Sequence, residues 1–313
     1  MFQFSNDQAI FEIGGVRVGG QPGQLPTVLI GSIFYHGHKI VEDDQAGIFD
    51  TVRAKSLLDQ ELKHSRRTGN PRIVDVVAAW PQAMRRYISF IAEATETPFS
   101  IDGATAEVRI AGLKRASELG LVHRAIYNSI SPGFMPDEIA AIQNAGVKTA
   151  ILLAYNAHNP TLQGRLEIIQ QLLDAAAGAG VTQCLIDTTV IDLPDPGPAA
   201  KAIHHVKQKY GLPAGCGAHN SIDRWNSPKH LDQTTYASAA TVANVVPMTM
   251  GANFLLYGPI EHAPQVYTPC ALADAYIAYS ARQEFGTAPL TDSHPLRRIF
   301  KRSQPAAPAK VLQ

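Results

Sequence analysis

Four polar residues stand where short apolar runs give way to Gly, Ser or Thr. They are Asp102 closing PFSID, Asn128 in IYNSI, Asp187 closing CLID, and Asn220 in GAHNS. Two carboxylates and two amides converging on one place suit a flat heterocycle. Carboxylates accept from ring N–H and amino groups, and an amide both donates and accepts at ring oxygens and nitrogens. A pterin is such a ligand. Asp75, in IVDVVAA, is a fifth candidate facing the same mouth. Each residue also has a plain structural use. Asp102 precedes GATAE and could cap a helix, and Asn128 and Asn220 lie where Asx-turns are common. Asp187, ending an apolar strand, has few local uses of that kind. The carboxylate pair carries no strong glycosidase signal, because no Glu accompanies it at a strand end.

The elements that must position these residues are read from an alternation of strand-like and helix-like segments. Eight β-branched runs bounded by turn residues begin at Thr27, Arg72, Pro98, His123, Val147, Thr182, Pro213 and Asn253. Segments of helical spacing separate them, and Gly120, Gly146 and Gly180 fall where helix C-caps belong. Two helices, in PDEIAAIQNAG and PGPAAKAIHHVKQKYG, open with Pro near the start. Eight such units predict a (β/α)₈ TIM barrel, with a doubly wound sheet as the alternative; no GxGxxG follows any strand, which favours the barrel. In a barrel the C-terminal strand ends carry the active site, and all four residues occupy such ends. FEIGGVRVGGQPGQLP alternates around Gly14-Gly15 and predicts an N-terminal β-hairpin plugging the barrel bottom. The expected organisation is one barrel domain over 1–302, its hairpin within 1–26, and a Pro- and Ala-rich tail over 303–313.

Composition narrows the function. Charged residues make up only 17% of the 313, against 45% hydrophobic, which implies extensive burial and a subunit interface. Twenty-seven basic residues balance 27 acidic ones, leaving no electrostatic footprint for nucleic acid or an anionic membrane. Three widely spaced cysteines, Cys184, Cys216 and Cys270, form no disulfide framework and fit a reducing, cytoplasmic setting. Neither a signal peptide nor an apolar run long enough to span a membrane is legible.

A zinc hydrolase or zinc-dependent methyltransferase is the rival enzyme reading, with His36, His38, Cys216 and His219 as ligands, although no paired CxxC or HExxH supports it. A non-catalytic subunit that merely binds a partner is the other. Trp80 and Trp225, near the mouth, read as packing residues rather than stacking platforms. Tyr276 and Tyr279 read as a helical packing stripe, and His204-His205 as surface or interface.

Longer stretches carry a resemblance. IGGVRVGGQPGQLPTVLIGSIFYHGHKIVEDDQAGIFD from Ile13 and GANFLLYGPIEHAP from Gly251, with IYNSI and IDGAT between them, resemble the H-subunit family of tetrahydromethanopterin S-methyltransferase. Its bacterial relatives are methylcobalamin:tetrahydrofolate methyltransferases. More distantly the chain is similar to pterin-binding methyltransferase barrels. That likeness implies that Asp102, Asn128 and Asp187 hold the pterin, that Asn220 reaches N5, and that no metal is resident. It implies a homodimer working with cobalamin carried by a separate corrinoid protein. No DxHxxG cobalamin motif occurs in the chain. A chain shorter than its methanogen counterparts after the fifth unit points to the bacterial branch and tetrahydrofolate, with tetrahydromethanopterin as the alternative.

Overall fold

The computed structural model describes residues 2–191, 195–223 and 232–300. Trp225 and the expected C-terminal tail lie outside them. β1 (Ile10–Ile13) and β2 (Val16–Gly19) form an antiparallel hairpin turning at Gly14 and Gly15, both at positive φ. The first barrel strand is β3 (Val28–Ile33), and a small antiparallel pair follows, β4 (Val41–Asp43) with β5 (Ile48–Phe49). Next in the barrel come β6 (Arg72–Ala78), β7 (Phe99–Gly103), β8 (Ala125–Ile130) and β9 (Thr149–Leu153). β10 (Gln183–Asp187), β11 (Ala214–Cys216) and β12 (Phe254–Pro259) complete it, β12 pairing back onto β3 to close eight parallel strands. This is the (β/α)₈ barrel that the alternation predicts.

Local chemistry sets the helix limits. Helix Thr51–Thr68 begins where Asp50 accepts from the Arg53 amide at 2.9 Å and ends at Gly69, φ 90°. Helix Pro136–Ala145 starts on Pro136 and stops at left-handed Gly146, an arrangement that satisfies orphan backbone groups at the C-terminal end. Two details depart from the pattern. The long segment after β9 breaks at Ile168 into helices Leu162–Glu167 and Ile169–Gly178. The β4–β5 pair has no alternation long enough to announce it.

Two apolar layers hold the barrel. The outer one lies between strands and helices, where Val74, Val76 and Ile101 meet residues such as Met84, Ile88 and Leu113. The inner one fills the N-terminal end. Ile13 and Val18 of the hairpin pack there against Val28, Ile30, Ile73, Ile126, Ile151, Leu185 and Phe254. Burying each such side chain stabilises the fold by about 1.5–3 kcal/mol, so the hairpin stops the bottom and leaves the opposite end for polar residues.

The expected packing stripe on the last long helix, Ala263–Phe285, is corrected. Tyr276 and Tyr279 are 58% and 56% exposed, and their rings meet Phe300 rather than the core. The buried face of that helix is made instead by Val266, Tyr267, Cys270, Ala271 and Asp274. His204 turns its ring onto Phe2 and Phe4, while His205 is exposed. All three cysteines are buried free thiols. Among the described residues no helix is long and apolar enough to cross a membrane.

Candidate functional site

The site follows from the period-two pleat of strands running through a closed barrel. Ile30, Ile73, Ile126 and Leu185 belong to the apolar plug. Two residues further along the same strands, on the same inner face, stand Ser32, Asp75, Asn128 and Asp187. On β7 the same step leads from Ser100 to Asp102. Register makes neighbours of them: Ser32 is level with Asp75, Asp75 with Ser100, and Asp102 with Asn128. The interior thus changes from apolar to polar within one pleat. Above this layer lies a cavity of about 490 Å³ lined by Asp75, Asp102, Asn128, Asp187 and Asn220 together.

Asp75 is the hub. Its Oδ1 accepts from Ser100 Oγ at 2.5 Å and Asn128 Nδ2 at 3.2 Å, and its Oδ2 from Ser32 Oγ at 2.8 Å. Burial pushes its pKa upward, and these donors restrain the rise. Asp102 is driven well above the ordinary carboxyl range, first by burial and then by the charge of Asp75 beside it, with Arg109 opposing. Asp187, buried at the end of β10, is pushed up to about 7 by burial, partly offset by the Thr189 amide donating to Oδ1 at 2.7 Å. Thr189 reaches that position with φ 51°, in the left-handed region. Asn220, the first residue of helix Asn220–Asp223, donates from Nδ2 to the Val190 carbonyl at 3.0 Å, which leaves its oxygen as an acceptor beside the cavity.

The plain structural uses are now decided. Asp102 caps nothing: the following helix, Ala106–Glu118, is capped by Thr105, whose hydroxyl accepts from Val108. Asn128 makes no local turn and is drawn to Asp75 across the barrel. Asp187, for which few local uses are expected, does make one, the short bond to Thr189. The expected zinc ligands make other contacts. His38 is buried, accepting from the Phe34 amide at 3.0 Å and facing Glu261 at 2.8 Å, whereas His36 projects into solvent beside Asp44. Cys216 is buried with its thiol pushed up by burial, and His219 Nδ1 lies 3.1 Å from the Leu256 carbonyl. Among the described residues no group of three or more His, Cys, Asp or Glu could hold a metal ion.

Trp80 is corrected as well. It is 44% exposed in the connection from β6 to helix Pro81–Ala94 and is not a packed core residue. Sequence reasoning missed Ser32 and Ser100, whose small hydroxyls signal nothing alone. It also missed Tyr35, which lines the cavity from the end of β3. The inward alternation two residues beyond Ile30 and ahead of Asp102 was the available signal for the serines.

A family profile described as the tetrahydromethanopterin S-methyltransferase MtrH subunit matches residues 6–290. The H-subunit of tetrahydromethanopterin S-methyltransferase from Methanothermobacter marburgensis is 37% identical over 312 residues, covering 96% of this chain and 100% of that protein. The H-subunit of the putative methyltransferase mtx from Methanosarcina barkeri is 37% identical over 311 residues, with the same coverage of each. Among solved structures, dihydropteroate synthase from Yersinia pestis with a pterine-sulfa conjugate has a TM-score of 0.60 at 12% identity, covering 86% of this chain and 99% of that one. Dihydropteroate synthase from Xanthomonas albilineans gives 0.58 at 15%, covering 89% and 99%. At that identity the likeness concerns the barrel alone, whereas the sequence matches reach further. The chain belongs to the family of the MtrH subunit of tetrahydromethanopterin S-methyltransferase.

Proposed function

We propose that the chain transfers a methyl group between a corrinoid carried on a separate protein and N5 of a reduced pterin held in the barrel mouth. The observation that supports this most directly is the convergence of Asp75, Asp102, Asn128, Asp187 and Asn220 on one cavity of about 490 Å³. That volume lies in the range of small-molecule sites, roughly 300–1,000 Å³. The donor set also fits the ring. Asp187 accepts from its amino and N3–H edge, Asp102 and Asn128 bond to the ring heteroatoms, and the oxygen of Asn220 faces N5.

In the direction of pterin methylation, N5 attacks the methyl carbon, the carbon–cobalt bond breaks with its electron pair left on cobalt, and the N5 proton passes to water at the barrel mouth. The chain supplies no covalent nucleophile. Asn220 holds the N5 proton as an acceptor, and the buried carboxyls orient the ring, so acceleration comes mainly from positioning. The relatives are named for tetrahydromethanopterin, which favours that acceptor over tetrahydrofolate. The folate reading rests on chain length. An alignment covering 96% of this chain and 100% of the Methanothermobacter relative gives length little say in the choice. The test is anaerobic conversion of free methylcobalamin to cob(I)alamin, followed by absorbance, with each pterin as acceptor. Transfer to tetrahydromethanopterin in preference to tetrahydrofolate supports the reading in full. Preference for the folate overturns the choice of acceptor, and transfer to neither overturns the activity.

Protonation of Asp187 makes binding depend on pH. Its folded-state pKa of about 7 means that below neutrality a proton must leave before the carboxylate accepts ring N–H groups. Pterin affinity therefore rises with pH up to about 7 and then levels, losing about tenfold per unit on the acid side. Dissociation constants measured between pH 6 and 8.5 check this, with Asp187→Asn expected to flatten the profile. A wild-type profile already flat would sink the assignment of Asp187 as the titrating acceptor.

A further inference from the structure

A second cavity, of about 540 Å³, adjoins the pterin site and shares Tyr35 and Pro259 with it as a common wall. It opens between the end of β3, the first turns of helix Thr51–Thr68 and the short 3₁₀ turn Ile260–His262. Its charged lining is Lys39, Arg53 and Glu261, with His262 beside them. Glu261 is occupied on the inner side, where Oε1 accepts from Tyr35 at 3.2 Å and lies 2.8 Å from His38 Nε2. Lys39 and Arg53 are exposed, and among the described residues neither side chain has an ion-pair or hydrogen-bond partner. Two unpaired cations in a concave site, next to a cavity shaped for a neutral ring, call for an anion attached to that ring.

Resting on the pterin reading above, we propose that this cavity binds the anionic tail of the reduced pterin, its carboxylate or phosphate groups lying against Lys39 and Arg53. The ring enters the barrel mouth and the tail crosses Tyr35 and Pro259. Lys39 and Arg53 then select pterins that carry a negatively charged tail over the bare ring. The residues that meet the reacting atoms are not involved, so the tail contributes to affinity and leaves the chemical step unchanged.

The test compares three ligands, tetrahydromethanopterin, tetrahydrofolate and the tail-less 6,7-dimethyltetrahydropterin, by equilibrium binding to the wild-type chain and to Lys39→Ala/Arg53→Ala. The double variant is expected to weaken both tailed ligands by about tenfold or more and to leave the tail-less ring unchanged. Raising the salt concentration should weaken only the tailed ligands. A larger loss for tetrahydromethanopterin identifies phosphate as the main group, and a larger loss for tetrahydrofolate identifies carboxylate. Equal losses for tailed and tail-less ligands would overturn the proposal, as would unchanged affinity for all three. Unchanged pterin affinity with slower transfer from a corrinoid protein would overturn it too, giving the cations to the partner instead. Failure of all three pterins to bind the wild-type chain would be a failure of the pterin reading, which is distinct from each of these.

Discussion

Asn220→Ala is expected to slow methyl transfer by about 10²- to 10³-fold while changing pterin affinity by less than about threefold. The amide is anchored by its 3.0 Å bond to the Val190 carbonyl, so its oxygen is oriented rather than freely rotating, and alanine removes the acceptor that the proposed function sets against N5. The two aspartates should divide the other way. Asp102→Asn and Asp187→Asn are expected to weaken pterin binding by about 10- to 100-fold with turnover at saturation nearly preserved, because in the proposed function each bonds the ring away from the reacting atom. Steady-state rates with methylcobalamin, combined with direct pterin binding, separate the classes. If both classes changed rate and affinity alike, the assignment of Asn220 to chemistry and of the aspartates to binding would fail.

The second large effect concerns stability and arises on the far side of the barrel wall. Glu61 of helix Thr51–Thr68 is fully buried, 3.1 Å from Arg72 Nη1 on β6, and accepts from Tyr257 at 2.6 Å and Tyr267 at 3.4 Å. Burial raises its pKa to about 7 even with the guanidinium beside it. Arg72 also donates to the Leu58 carbonyl at 2.7 Å and to Thr95 at 3.1 Å. Glu61→Ala leaves a guanidinium that cannot deprotonate and two buried hydroxyls short of an acceptor. The expected loss is about 3–5 kcal/mol, read from the guanidinium chloride unfolding midpoint. Glu61→Gln retains an acceptor for the tyrosines and is expected to lose less than half of that. A Glu61→Ala loss under about 1 kcal/mol would show that water reaches the network. Gly31 explains how these groups fit so near the site. A β-carbon there would lie 2.2 Å from the Tyr257 hydroxyl and 2.8 Å from Glu61 Oε1, so β3 stays bare behind Ser32.

Much of the fold was legible because its signals are local. Strand alternation, Pro at helix starts and Gly after helix ends are decided within a few residues, and each of the eight barrel strands overlaps the run that predicts it, although β11 (Ala214–Cys216) fills only the first half of its run and β9 ends two residues short on either side. The identities and the barrel placement of Asp75, Asp102, Asn128, Asp187 and Asn220 were legible for a related reason. A polar residue ending an apolar strand has a position that follows from the strand alone. Exposure on the outer helices was not legible. Tyr276 and Tyr279 have core-like spacing, but which face of a helix meets the barrel depends on how the whole helix rotates, and Asp274, Cys270 and Tyr267 took that face.

What the amino-acid sequence determined by itself is the alternation of elements and the choice of polar residue delivered at each strand end. Only closure of the barrel decided what those residues become. It set Asp75 level with Ser32 and Ser100, faced Asp102 with a neighbouring charge, and drew Asn128 out of a turn role into a cross-barrel bond. The same closure brought the cavity lined by Lys39 and Arg53 next to the site, with Tyr35 and Pro259 lining both. The physical reason is that hydrogen bonding, burial and charge interaction act through a few ångströms of space. Asp75 and Ser100 are 25 positions apart in the chain and Asp75 and Asn128 are 53 apart, and such groups become neighbours only when the strands pair around the barrel and β12 returns to β3.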